Sequence, residues 1–587
     1  MSSTKEKMES SKTQKNYPIE TNPWLQFFSK ETLEKPFPQK SMYQWIYDLN
    51  KDYPDEIALE YMGVSFTYRQ LFEHIDETAK ALVGLGVEPG EIVTVAMPAM
   101  PEVVYLIYAL NKIGAVVNLI HPLPSEEELH FYLNEVNSRF FFLFDGTYDL
   151  IRYSLDSTPV KTAVLVSPAE SLSFLKRNLY RAAHNPQADR RNTISWRQFL
   201  KLGKDVTKDV TAERDHNKPA ILSHTGGTTG DPKAVMLSDN NENAEVFQII
   251  NGIPNERQKV MMVVLPPFVN YSFTNGIHEG LSVGCKVALL PKYEIGKYHE
   301  YQKQYQPNYI NTIPAYVLAM CKEPEMKDVD MSSIEFMVVG GEAMDAASEQ
   351  SVNDFLHEHG AHSDLQKGYG ATEMTSGITV SRSDINVPNS AGIPMFMAEA
   401  TAVDLNTNEP LPVGEKGELC FSGPTISLGY YHNDVATKKL IQVHKDGKRW
   451  LHTGDIGYID DEGNIFITGR IKRIIMTKGK DGNPTKMFPD RVERTIQEVD
   501  AVNAVCVTGV KDEERIHIPK AWIELKDSNA TKADKKAVEK DILAVCKKHL
   551  PEYQVPSEIE FVNKLPRTSR GKIDYQALDT DSDLNRG

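Results

Sequence analysis

The stretch that most restricts how this chain can fold is SHTGGTTGDPKAVMLS, residues 223–238. It follows the apolar run Ala220, Ile221, Leu222 and leads into a second apolar run, so a glycine-rich loop is placed between two strand-like segments. Gly226, Gly227 and Gly230 allow positive φ and close approach of backbone to a polyanion, and successive N–H groups in such turns form an anion-binding nest. Thr225, Thr228, Thr229 and Lys233 add side-chain donors. The chemistry is that of a phosphate-binding loop. It is not the P-loop of kinases and ATPases, which needs Gly-Lys-Ser/Thr where this chain has Gly230, Asp231 and Pro232.

Around this loop, strand-like and helical segments alternate. Thr67 is expected to cap a helix over 68–85 whose Leu71, Ile75, Ala79 and Leu82 share a face, and Gly86 ends it. Strand-like runs at 92–97, 115–120, 140–144, 162–166, 259–265, 286–290, 309–313 and 336–339 continue the pattern, which predicts an α/β fold with a largely parallel sheet. From about residue 400 the strands are short and broken by glycine, which predicts a small β-barrel or a mainly antiparallel subdomain. A charged segment over 469–486 leads into a mixed stretch to the end. The chain therefore divides into a disordered polar tail over 1–16, a large N-terminal domain over 17–469 of parallel-sheet α/β subdomains plus the small β-barrel, and a small α+β C-terminal domain over 470–587.

Charge and cysteine content narrow the function classes. With 65 basic and 81 acidic residues the net charge is −16, which argues against nucleic-acid binding through a basic surface, so a polyphosphate must be held by a local cluster of donors. The five cysteines are odd in number and never in C-x-x-C spacing, which predicts neither a disulfide framework nor a zinc site. No run of eighteen apolar residues occurs, so no transmembrane segment is expected and the cytoplasm is the expected location.

Two further glycine loops follow strand-like runs, where open α/β sheets hold ligands at their C-terminal ends. These are Gly340-Gly341-Glu342 and Gly368-Tyr369-Gly370-Ala371-Thr372-Glu373. Tyr369 offers a face to a base, the Thr372 hydroxyl can reach a phosphate, and Glu373 is a hard oxygen ligand suited to Mg²⁺. Asp455, in Thr453-Gly454-Asp455, is a carboxylate on a tight turn and a natural acceptor for two ribose hydroxyls. Downstream stand Gly469-Arg470-Ile471-Lys472 and, near the end, Leu565-Pro566-Arg567-Thr568-Ser569-Arg570-Gly571-Lys572.

Six motifs in this order resemble the adenylate-forming superfamily, which comprises acyl-CoA synthetases, the adenylation domains of nonribosomal peptide synthetases, and firefly luciferase. The resemblance covers roughly residues 40–580. It implies an acid–thiol ligase that uses ATP and Mg²⁺ to convert a carboxylic acid to an acyl-adenylate, releasing pyrophosphate, and then transfers the acyl group to CoA. By the same resemblance ATP and AMP contact Thr225, Gly226, Gly227, Thr228, Thr229, Gly230, Lys233, Gly341, Glu342, Tyr369, Gly370, Ala371, Thr372, Glu373, Asp455, Arg470 and Lys572, and Glu373 holds the metal. Lys572, Thr372 and Lys233 are the implied catalytic residues, and Lys472 is the hinge about which a mobile C-terminal domain rotates.

The chain departs from the family at several positions. Leu265-Pro266-Pro267-Phe268 is similar to the segment beside the acyl pocket, but Val269 and Asn270 stand where an imidazole is usual. Arg473 replaces a common acid, Arg491 a common Glu, and Pro489 lies ten positions after Gly479 rather than about five, leaving an insertion around 480–486 near the thiol's route. Asn270, Tyr271 and Tyr316 are expected at the acyl pocket. With apolar and aromatic neighbours and no Asp at the start of 270–274 to meet an α-amino group, a fatty or other simple organic acid is expected. Tyr-Gly-Ala-Thr-Glu is more similar to acyl-CoA synthetases than to peptide-synthetase domains, so CoA is the expected thiol. The phosphopantetheine of an acyl carrier protein is the alternative, and a nucleotide-binding regulatory relative without catalysis is a further reading.

Overall fold

The computed structural model describes residues 16–151, 153–173, 176–178, 180, 193–225, 232–473, 475–478, 484–487, 489–512, 514–567, 573–575 and 577–578. The chain forms two compact units. The larger consists of Phe28–Ala398 with Ser422–Leu451, and the smaller of Met1–Phe27, Glu399–Phe421 and His452–Gly587.

Two mixed, mostly parallel sheets build the large unit. In one, Pro219–His224 pairs antiparallel with Ala234–Ser238 on one side and, on the other, begins a parallel series of Val116–Leu119, Ile92–Ala96, Phe140–Phe144, Thr162–Val166 and Thr193–Ser195. In the other, Gln366–Gly370, Phe336–Val339, Tyr309–Thr312, Val260–Val263, Lys286–Leu289 and Ile57–Tyr61 run parallel, with antiparallel strands at both edges. Parallel strands need crossover helices that cover both faces, which is why Phe140, Phe141, Phe142 and Leu143 are all buried. Local chemistry fixes the ends as the sequence predicts. Thr67 accepts from the Gln70 backbone in a reciprocal capping box, and Gly86 closes the helix Tyr68–Leu85 at φ +93.

One helix breaks the usual pattern. Asp239–Gly252 reads DNNENAEVFQIING, polar enough for a surface position, yet Asp239 through Gln248 are all buried. Their partners explain it. Asp239 pairs with Arg214 at 2.9 Å and accepts from Asn111 and the Met42 N–H. Asn241 donates to the carbonyls of Pro424 and Ile426, while Glu242 accepts from Asn270 and Thr274. Asn243 donates to the Lys40 carbonyl and lies 3.0 Å from His278 Nε2. Glu245 accepts the Gly377 N–H, and Gln248 the Met397 N–H. Burial lowers the His278 imidazole to about 3, so it is neutral between Asn243 and Tyr108.

In the small unit the glycine-broken strands do not close into the expected barrel. Among the described residues Glu399–Val403, Gly417–Ser422, Arg449–Ile459 and Ile465–Arg470 lie side by side in an open sheet. The C-terminal segment has the expected α+β character. Val502–Asp512 and Ile516–Leu525 pair antiparallel, Glu558–Val562 adds in parallel, and a core of Val492, Ile496, Val507, Ile523, Ile542 and Cys546 joins this sheet to the helices Pro489–Gln497 and Lys532–His549. No helix among the described residues is long and apolar enough to cross a membrane.

Burial raises the Glu242 carboxyl to about 7 and those of Glu102 and Glu279 to about 8. A carboxyl so raised holds a proton in the folded state that the unfolded chain releases above 4.5, so its stabilisation is complete below that value and is lost as pH climbs through about 7. The urea midpoint is therefore expected to fall between about pH 5.5 and about pH 8, and Glu242→Gln, neutral throughout, should reduce that loss by about 1–3 kcal/mol. An identical pH slope in wild type and Glu242→Gln would contradict this.

Candidate active site

The large unit holds the neck of the glycine loop. Pro219–His224 and Ala234–Ser238 bring His224 opposite Ala234. Thr225 N–H donates to the Lys233 carbonyl at 3.0 Å, and Lys233 N–H donates to Thr225 Oγ1 at 3.3 Å. Thr225 and Lys233 are thus brought together at the base of the loop. Gly226, Gly227, Thr228, Thr229 and Gly230 lie outside the described residues. Beneath the neck, His224 Nε2 is 2.7 Å from Asn118 Oδ1.

A residue that the motifs do not mark joins this neck to Glu373. The short strand Gly429–Tyr430 pairs with the outer edge of Ala234–Ser238, setting Tyr430 opposite Val235. The Tyr430 hydroxyl donates to Glu373 Oε1 at 2.7 Å, and the Lys233 ammonium stands 5.5 Å from the centre of the Tyr430 ring. Burial, and then the Glu373 charge, push the Tyr430 hydroxyl up, so it remains a protonated donor at neutral pH. Ser427 N–H binds the Glu373 carbonyl at 3.0 Å. Among the described residues no hydrogen bond reaches Glu373 Oε2, so this half-buried carboxylate keeps a hard oxygen for a divalent cation, and its donor chemistry fits Mg²⁺. The only signal for Tyr430 in the sequence is the dipeptide Gly429-Tyr430, too common a pairing to be read.

The strand Gln366–Gly370 delivers the second glycine loop. Lys367, buried, pairs with Glu349 at 2.6 Å and steadies the strand. A Cβ on Gly370 would fall 1.6 Å from the Ser376 carbonyl oxygen, so only glycine fits there. Tyr369, Ala371, Thr372 and Glu373 are half-buried and follow one another out of this strand, while Gly341, at φ +84, and Glu342 are exposed at the end of Phe336–Val339. Thr375 Oγ1 donates to the Thr425 carbonyl at 2.7 Å, tying the turn that carries Glu373 to the segment that precedes Tyr430.

The three expected acyl-pocket residues have different surroundings. Asn270 is buried and its amide donates to Glu242, Thr274 and the Thr375 carbonyl. Tyr271 donates to the Val338 carbonyl at 3.2 Å, and its ring lies 3.5 Å from where a Gly340 Cβ would be. Tyr316 lines a cavity of about 10 Å³ with Tyr293, Val264, Ile310, Met320 and Met337, a wall that includes neither Asn270 nor Tyr271. That space admits one water-sized group.

The remaining described candidates belong to the small unit. Asp455 lies opposite Arg470 in the ladder of Arg449–Ile459 with Ile465–Arg470, and Arg470 Nε is 2.8 Å from Asp455 Oδ1. Asp455 is buried and Arg470 exposed. Lys472 lies in the turn Ile471–Arg473, and its side chain is outside the described residues, as is Lys572. Asp490 spans that turn. Its Oδ2 accepts the Arg470 N–H at 3.2 Å and its Oδ1 accepts Arg473 Nη1 at 2.8 Å. Arg473 also forks onto Glu493, so the arginine that replaces an acid here is neutralised by two carboxylates.

A profile of AMP-binding enzymes matches residues 48–431, and a profile of the AMP-binding enzyme C-terminal domain matches residues 491–572. The chain is 27% identical over 563 residues to the long-chain-fatty-acid–CoA ligase of Bacillus subtilis (strain 168), covering 94% of this chain and 96% of that protein. It is 26% identical over 526 residues to 4-coumarate–CoA ligase CCL1 of Humulus lupulus, covering 88% of this chain and 87% of that protein. Among solved structures, the o-succinylbenzoate coenzyme A synthetase MenE of Bacillus subtilis in complex with ATP and magnesium ion shares the fold, with a TM-score of 0.73 and 21% identity over 91% of this chain and 98% of that one.

Tyr430→Phe removes the described donor to Glu373 and leaves the ring beneath Lys233. Loss of one hydrogen bond to a charged group is expected to weaken binding of magnesium–ATP about tenfold with little change in thermal midpoint. Calorimetric titration checks this, and an unchanged affinity would show that Tyr430 does not serve the site.

Proposed function

We propose, from the premise that the chain belongs to the AMP-binding enzyme family, that it activates a carboxylic acid with ATP to an acyl-adenylate and transfers the acyl group to CoA. The observation that carries this reading is the Tyr430 bridge, which sets Glu373 against the neck of the glycine loop. A loop built for a polyanion and a carboxylate suited to a divalent cation are thus joined through Tyr430, on the strand beside the loop's second strand. The relatives' names supply the reaction class, since they are CoA ligases of fatty and aromatic acids.

The first step joins two anions. A carboxylate oxygen attacks the α-phosphorus, the bond from that phosphorus to the bridging oxygen breaks, and pyrophosphate leaves. Catalysis is therefore charge neutralisation and positioning. Thr225, Thr228, Thr229, Lys233 and the N–H groups of the glycines hold the leaving phosphates, and Thr372 holds the α-phosphate. Glu373 would hold Mg²⁺, which supplies positive charge to the phosphates when bound. Tyr369 faces the adenine, Asp455 the ribose hydroxyls, Arg470 the ribose or phosphates, and Lys572 the carboxylate and α-phosphate. In the second step the thiol sulfur attacks the acyl carbon, the bond from that carbon to the phosphate oxygen breaks, and AMP leaves as the thiol loses its proton.

For the acid, the named relatives and the stacking of Tyr316 on Tyr293 support a fatty or aryl acid. CoA is the proposed thiol and an acyl carrier protein the alternative. The cytoplasm is the proposed location. The division at 469/470 is proposed as the boundary that moves. Asp490 bonds residues on both sides of Lys472, so rotation there requires at least one of its two bonds to open.

Pyrophosphate release and thioester yield, measured separately with fatty, aryl and amino acids, test the proposal. Release with fatty or aryl acids and thioester only with CoA is the expected outcome, and release with free amino acids alone would contradict it. Lys572→Ala should lower pyrophosphate release by about 10²–10³-fold while sparing thioester formation from ready-made acyl-adenylate. Lys472→Pro, which fixes φ and removes an N–H, should do the reverse. Equal losses in both assays for both variants would refute the two-state rotation.

A further inference from the structure

We infer that Glu418 is a positioning residue for the nucleotide's ribose, its two carboxylate oxygens clamping the 453–455 turn and so fixing Asp455. This rests on the reading of Asp455 as the ribose carboxylate. Glu418 stands on Gly417–Ser422, the strand beside Arg449–Ile459. Its Oε1 accepts the Gly454 N–H at 2.9 Å, and its Oε2 lies 2.8 Å from His452 Nδ1. Thr453 Oγ1 donates to the Leu419 carbonyl at 2.7 Å and accepts the Asp455 N–H at 3.0 Å. Residues 452, 453 and 454 are therefore each bonded to 418 or 419, and Asp455 is bonded back to Thr453.

The turn needs such support. Gly454 holds φ +72, and the ladder that pairs Asp455 with Arg470 becomes irregular between Ile456 and Gly457, so the pairing and the Arg470 contact hold Asp455 from one side while the turn on its other side is held by Glu418 and Leu419. Asp455 is buried, so its carboxylate presents a fixed direction only if the backbone beneath it is fixed. Both Glu418 oxygens are already engaged by the turn, which makes it a residue that acts through Asp455 rather than on the nucleotide. Cys420 Sγ, 3.4 Å from His452 Nδ1, completes a trio close enough to share a metal ion. The 2.8 Å separation of His452 Nδ1 from Glu418 Oε2 is that of a direct hydrogen bond, and burial pushes the Cys420 thiol up, away from the thiolate a metal requires.

The test compares kcat/KM for ATP with kcat/KM for 2′,3′-dideoxy-ATP in pyrophosphate release. Asp455→Ala should bring the ratio close to one. Glu418→Ala should lower it about tenfold, the scale of losing the orientation of a charged acceptor. Glu418→Gln, which still accepts from Gly454 and can donate to His452 in its other tautomer, should recover it to within about threefold. Where Glu418→Ala does not fold, Glu418→Asp, one methylene too short to hold both partners, should show the same fall. A role confined to stability lowers both nucleotides alike and leaves the ratio unchanged. That result in Glu418→Ala or Glu418→Asp, with Asp455→Ala reduced as expected, overturns the inference alone, whereas an unchanged ratio in Asp455→Ala overturns the ribose reading and the inference with it.

Discussion

A carboxylate or amide withdrawn from water destabilises a fold by several kcal/mol unless it is paired, and in the large unit the helix Asp239–Gly252 turns that requirement into connections. Asn241 holds the carbonyls of Pro424 and Ile426, the segment that leads into Tyr430. Glu242 holds Asn270, which holds the Thr375 carbonyl, and Glu245 holds the Gly377 N–H, so the turn carrying Glu373 is fixed from the other side. Thr375 then bonds Thr425, and Ser427 bonds Glu373, closing the circuit. The Tyr430–Glu373 contact is the product of two arms reaching from one helix.

This circuit explains what could be read in the sequence. Strands, caps and glycine loops depend on neighbours a few residues away, so the parallel series and the cap at Thr67 were legible. Barrel closure depends on the register of strands far apart, and the same short glycine-separated strands make an open sheet instead. Asn270 stood in the segment expected to face the acid, yet its amide is committed to Glu242, Thr274 and Thr375, partners 28 and 105 positions away for the first and last. Tyr430 was invisible for the same reason. Its partner lies 57 positions earlier, and no spacing rule links a tyrosine on an edge strand to a carboxylate on a turn.

The small unit shows the same economy of backbone fixing. Glu418 and Leu419 hold the turn before Asp455, while Asp490 holds the backbone of Arg470 and the guanidinium of Arg473. The arginine at 473 departs from the common acid, and the helix Pro489–Gln497 answers it with Asp490 and Glu493. A charge change in the turn is thus absorbed within the unit, and the turn keeps its shape.

All of these contacts matter to function only if the chain directs a carboxylate to the α-phosphorus of ATP. Acid labelled with ¹⁸O in both carboxylate oxygens, turned over with ATP and CoA, gives the most direct measurement. One ¹⁸O in the phosphate of AMP and none in pyrophosphate is the predicted result. Unlabelled AMP, or label in orthophosphate formed together with ADP, would contradict the account.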